Sequence, residues 1–165
     1  MNEFKDLVEN LCKDGKEIIA TLTPEKAHLW HMATGVGNEI FELEQADINA
    51  DRENVIEELG DLEFFMEGLR TGTGIERNDV LGKGWTLPID VTDVVKKHVV
   101  YNKDLDLQAL LAGLDQVEQM MEVIRNNYKL NREETLQHCI IKLNGRYSSG
   151  EYTDKQAQDR ADKNQ

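Results

Sequence analysis

Between Gly37 and Phe65 the chain reads GNEIFELEQADINADRENVIEELGDLEFF, ten carboxylic acids in 29 residues against a single base, Arg52. Two pairs stand out within it. Glu39 and Glu42 are spaced i,i+3, and so are Glu58 and Asp61. At that spacing two side chains share one helical face. Two such pairs brought together would offer four hard oxygen ligands. Hard divalent cations prefer carboxylate oxygen, and Mg²⁺ in particular binds through few carboxylates plus water and substrate phosphates. The other way to keep such acids together is to raise their pKa values until some are neutral.

The helices that must carry these pairs can be read from periodicity. On a wheel of about 100° per residue, Met32, Val36, Leu43 and Ala46 fall within about 60° of Glu39, and Glu42 lies on the edge of that stripe. The same projection puts Val55, Leu62, Phe65 and Leu69 around Glu58, with Asp61 on the edge, whereas Glu53, Glu57, Glu63 and Glu67 fall on the face where solvated acids belong. The interval from Glu42 to Glu58 accommodates the end of one helix, a turn at Asn49–Asp51 and the first turns of an antiparallel partner. Both pairs then face each other at similar height. Neither stripe carries a lysine or arginine, so the pattern predicts a cation site rather than an internal ion pair. A single such acid would ordinarily be a solvated helix-edge residue or pair with a base elsewhere; two matched pairs favour the metal.

The remainder of the chain reads as all-α. Prolines number two, and helix formers dominate. Phe4, Leu7, Val8, Leu11 and Cys12 predict a first helix to about Thr21. Thr23 and Pro24 mark the N-cap and first position of a second helix, running to about Ile48. Asp51 caps a third, ending near Arg70. Thr71–Asp90, with four of the 12 glycines, is a long irregular loop. Periodicity resumes at Val91–His98 and along Leu107, Leu110, Leu111, Leu114, Val117, Met121 and Ile124, a stripe suited to core or to oligomerisation, with the latter preferred. Asn131 and Glu134 have capping-box spacing at the start of a last helix. Residues 1–147 are thus expected to form one all-α helical domain, followed by a polar tail, 148–165.

The net charge of −13 and pI near 4.7 argue against partners that need a basic surface, nucleic acid and anionic membrane among them. No apolar run is long enough to span a bilayer, and the N-terminus has acids where a signal peptide would carry bases, so a cytoplasmic location is expected. Cys12 and Cys139 are isolated, with neither zinc nor disulfide spacing. The same negative charge means that any anionic ligand needs an intervening cation.

The pattern Glu39-x-x-Glu42 followed by Glu58-x-x-Asp61 resembles the signature of the all-α nucleoside triphosphate pyrophosphohydrolases, the superfamily of MazG and the dimeric dUTPases. HMATGVGNE (His31–Glu39) resembles the approach to the first acid in MazG-like proteins. KLNGRYSSGEYT (Lys142–Thr153), with Ala157 and Arg160 beyond, resembles a later segment of the family. The chain departs from the family pattern in having Phe41 where Gly is usual, Cys139 where Asn is common, and Ser148 in place of Pro. The stretch from Thr71 to Asn126 is longer than in compact members and resembles phage-type relatives.

The resemblance implies hydrolysis of a nucleoside triphosphate to a monophosphate and pyrophosphate, Mg²⁺ (with Mn²⁺ as a substitute) held by Glu39, Glu42, Glu58 and Asp61, and assembly as a homodimer or homotetramer. Within that scheme Glu39 or Glu42 is the candidate to relay the proton of the attacking water. Lys142 and Arg146, i,i+4 on the last helix, present two cations on one face for polyphosphate or for a salt bridge to this acidic chain, in even balance. Lys83 in GKGW is a weaker phosphate candidate, without the Ser or Thr of a P-loop. Trp30, Trp85 and Tyr147 could stack on a base, though large aromatics are more often core. His31, two turns before Glu39, reads as a packed or capping residue. A ferritin-like di-iron site needs two E-x-x-H motifs, and the chain has one, Glu25-x-x-His28. The competing reading without turnover is an acidic helical module, on the same fold, that binds nucleotide or another protein.

Overall fold

The computed structural model describes residues 2–78 and 90–159, with side chains from residue 4 onward. Among these the secondary structure is helical throughout, without strands, as expected from the composition. Eight helices follow in order: α1 Asn2–Leu11, α2 Gly15–Thr21, α3 Pro24–Ile48, α4 Arg52–Thr73, α5 Val91–Tyr101, α6 Leu107–Tyr128, α7 Arg132–Arg146 and α8 Asp154–Asp159.

The N-terminal segment forms two helices where periodicity predicted one. Asp14 and Gly15 explain the break. Asp is a poor interior residue that caps well, and here the Asp14 side chain accepts from the Lys16 N–H to start α2. Elsewhere the end signals act as expected. Thr23 and Asp51 accept from the Lys26 and Asn54 N–H groups, and Asn131 and Glu134 form a reciprocal capping box. α4 runs one turn beyond the predicted end to Thr73, where Gly74, in the left-handed region at φ 71°, closes it. The polar tail carries the short helix α8.

The centre is the α3–α4 antiparallel hairpin. Met32, Ala33, Val36, Leu43 and Ala46 of α3 and Val55, Leu59, Leu62, Met66 and Leu69 of α4 are all buried. Their close approach depends on small residues: a Cβ on Gly68 would lie 2.1 Å from the Met32 sulfur, and one on Gly35 would lie 2.2 Å from the Phe65 ring. α5 packs on α3 through Val91, Val95 and Val99, α7 packs on α4, and α6 touches both α5 and α4. Leu110, Leu114, Val117, Met121 and Ile124 belong to this same core. The α6 stripe preferred above for oligomerisation is therefore consumed within the chain, leaving Leu107 and Leu111 exposed.

Two buried carboxylates tie the layers together, each held by two arginines. Glu118 of α6 receives Arg70 at 2.5 Å and a two-point contact from Arg77. Burial alone would raise its pKa, but the two guanidinium groups outweigh that and hold it low. Glu63 of α4 receives Arg125 at 2.8 Å and both Nε and Nη2 of Arg132. Glu63 is only 2% exposed, a correction to its assignment to a solvated face. The face is polar because α6 and α7 cover it with arginines.

Removing one member of such a cluster leaves buried charge uncompensated. Glu118→Gln is expected to destabilise the fold by about 3 kcal/mol in denaturant unfolding, near the lower end of the usual range because Arg77 retains access to water. A change below about 0.5 kcal/mol, as for an ordinary surface substitution, would show that the clamp contributes nothing.

Candidate active site

α3 and α4 bring Glu39, Glu58 and Asp61 together, with one carboxylate oxygen from each within 4.8 Å of the others. Glu39 is 8% exposed, and the other two are half-buried. Glu42 does not join them. It is exposed on the rim, where it accepts a 2.7 Å hydrogen bond from the Asn38 side chain. Glu39 is central on its apolar stripe, whereas Glu42 and Asp61 both lie on stripe edges; α7 covers the edge that carries Asp61, and the edge that carries Glu42 faces solvent. Phe41 lies about 200° around the helix from Glu39 and is exposed, so it does not fill the space between the acids.

Withdrawing these carboxylates from water makes ionisation costly. Burial raises the Glu58 pKa to about 8, helped by its hydrogen bond to Glu39 and by the charges of Glu39, Glu42 and Asp61. Burial also raises that of Glu39, reinforced by Asp61 and Glu42, while the bond with Glu58 works in the opposite sense. Glu58 is accordingly the proton donor in the pair. This all-oxygen, mutually repelling donor set fits a hard dication, whose charge would replace that proton.

The expected absence of a basic partner is corrected by α7. Lys142 reaches from it to both oxygens of Asp61 and to Glu57 at 3.2 Å, with 8% of its side chain exposed. Burial pulls the Lys142 pKa down, but Asp61 and Glu57 outweigh it and hold the ammonium above its ordinary value. Of its two predicted roles, the structure displays the salt bridge. The approach of α7 is possible because residue 60 is Gly: a Cβ there would lie 2.8 Å from Cβ of Cys139 and 2.9 Å from the Thr135 carbonyl.

Glu57 and Cys139 are neighbours of the site that periodicity missed. Glu57 precedes Asp61 by one turn and so can share its lysine, a signal visible in the spacing. Cys139 is 6% exposed with its sulfur 3.8 Å from Asp61, and burial pushes its thiol up to about 11. It is a neutral packing group. Arg146 is half-buried one turn beyond Lys142, near enough to Cys139 to act on its thiol. His31 is exposed, with its ring edge-on to that of Phe65 and the centroids 6.0 Å apart. Trp30 is half-buried against the core, and the Tyr147 ring lies 5.6 Å from that of Tyr152. Lys83, Trp85 and Arg160 lie outside the described residues.

The helical hairpin and its carboxylates define an all-α protein of the MazG-like pyrophosphohydrolase type. The model of the phosphoribosyl-ATP pyrophosphohydrolase family matches residues 1–83, and the chain belongs to that family. Its function is thus that of a pyrophosphohydrolase acting on nucleotides, in a family that typically depends on a metal. The matched span contains Glu39, Glu42, Glu58 and Asp61 and stops before α5. No curated protein and no solved structure matches the chain significantly. No helix among the described residues is long and apolar enough to cross a membrane.

The raised Glu58 pKa sets a pH window. The folded protein binds this proton more tightly than the unfolded chain, so the stability it contributes is present at low pH. It is lost as pH rises from the ordinary value of 4.5 to about 8. The melting temperature measured in chelator is expected to fall across that window and to recover on addition of Mg²⁺. Calorimetry in buffers of different ionisation enthalpy should detect proton release on metal uptake near neutral pH. Uptake without proton release there would contradict the shared proton.

Proposed function

We propose that the chain hydrolyses a nucleoside triphosphate at the bond between its α- and β-phosphates, giving a monophosphate and pyrophosphate. The observation that carries this reading is the convergence of Glu39, Glu58 and Asp61 on one small, partly buried volume. Phosphoribosyl-ATP, which gives the family its name, has the same triphosphate group and is the second substrate to consider.

In this proposal Glu39, Glu58 and Asp61 hold Mg²⁺ or Mn²⁺, and Glu42 joins from the rim by a rotamer change. The metal would supply the positive charge that offsets the triphosphate and acidifies the attacking water. One of Glu39 and Glu42 takes the water's proton on its carboxylate instead of holding the metal directly. Lys142 and Arg146 on α7 neutralise phosphate oxygens, and Lys83 is retained as a third candidate. Self-association as a dimer or tetramer in the cytoplasm belongs to the same proposal. The side chains of Phe64 and Ile140, lining a groove between α4 and α7, give the chain an apolar face for it.

Glu58→Gln imitates the protonated acid and so should fold, yet it removes a ligand charge; Asp61→Asn also removes a ligand charge and leaves Glu57 to hold Lys142. Each is expected to lower pyrophosphate release by about 100-fold or more at saturating Mg²⁺. The assay runs across ribo- and deoxynucleoside triphosphates and phosphoribosyl-ATP. Near-wild-type turnover in both variants defeats the site assignment, and no turnover of any substrate by the wild type favours the binding module.

A further inference from the structure

Asp61 has two claimants. Lys142 contacts both of its oxygens, and one of those oxygens belongs to the set that converges with Glu39 and Glu58. The ammonium occupies both oxygens of Asp61, so a dication ligated there must displace it from at least one, and the two positive charges repel across a half-buried carboxylate. The lysine is not fixed by Asp61 alone, because Glu57, one turn back on α4, holds the same Nζ at 3.2 Å. Its stem is flexible, and the ammonium can turn about Glu57.

We propose that the two claims exclude each other: Lys142 gives up Asp61 when the carboxylate trio takes a dication, and its Nζ, still tethered near Glu57, passes to the phosphates of the nucleotide. Lys142 is then an exchangeable cation that couples metal loading to phosphate capture. It compensates Asp61 before the metal does, and it becomes available to an anion only once the metal has replaced it. The ordering keeps the triphosphate from meeting the bare carboxylates of an acidic protein. The inference rests on the metal-site reading above and goes beyond it in making one lysine serve both partners in turn.

Amine acylation read by peptide mass spectrometry follows Lys142 directly, without reference to turnover. The protein is labelled in chelator, with Mg²⁺, and with Mg²⁺ plus a nucleotide analogue that cannot be cleaved between its α- and β-phosphates. Lys26, buried and bonded to Asn102 away from the carboxylates, serves as the internal control against general loosening. Lys142 labelling is expected to rise roughly tenfold with Mg²⁺ alone, as a charge-assisted contact is lost, and to fall again with the analogue, while Lys26 stays constant. Calorimetry on the same samples measures metal uptake.

Metal uptake with Lys142 still protected overturns the exchange and leaves the metal site standing. No metal uptake removes the site and the exchange with it. A folded Lys142→Met variant should bind Mg²⁺ more tightly in the absence of nucleotide and bind the analogue more weakly. Unchanged or weaker metal binding in that variant would mean that the lysine supports the site and does not compete for it.

Discussion

Charge withdrawn from water needs a partner, and most of the architecture follows from how that demand is met. An isolated carboxylate in a protein interior is strongly disfavoured, yet α3, α4 and α6 carry several that are buried or half-buried, among them Glu39, Glu58, Asp61, Glu63 and Glu118. Glu63 and Glu118 meet pairs of arginines whose planar groups match the carboxylate fork. Glu58 keeps its proton. Asp61 takes a lysine. These are different responses to one electrostatic requirement, and they assign different fates to acids that look alike in the chain.

The carboxylates of the two arginine clusters are fully paired, both oxygens of each being bonded, although the buried Arg70 Nη1 and Arg125 Nε lack a hydrogen-bond partner. Each guanidinium is committed to a carboxylate, and those contacts fasten α6 and α7 to α4. The trio is not. Its carboxylates compete for one proton and one lysine while Glu42 adds negative potential from the rim, so a small hard cation is the partner that would relieve them all. The paired carboxylates suit a rigid frame; the under-compensated trio suits a site that must take up ligands. Glycines at 35, 60 and 68 let the three helices approach closely enough for both arrangements.

The family match and the geometry divide the protein in an informative way. The match covers α1 to α4 and with them every acid of the carboxylate motif. Lys142 and Arg146 lie on α7, beyond it. The acids of the proposed site thus lie within the matched span, whereas its proposed basic residues come to it through the docking of α7 on α4.

Much of this was legible in the chain itself. Local rules placed the caps at Thr23, Asp51 and Asn131, the turn between α3 and α4, and the positions of Glu39 and Glu58 at the centres of apolar stripes, because periodicity and end signals act over a few residues. The wheel also ranked Glu42 as an edge residue, although it could not say that the edge would face solvent. What only the tertiary structure decided depended on residues distant in sequence. Arg125 and Arg132 turned the polar face of α4 into interior at Glu63. Val91, Val95 and Val99 met α3, and the apolar stripe of α6 went to the core instead of to a partner. Lys142, 81 positions from Asp61, became its neighbour. A wheel sees one helix at a time, whereas the fate of a charged side chain is set by what the next helix brings against it.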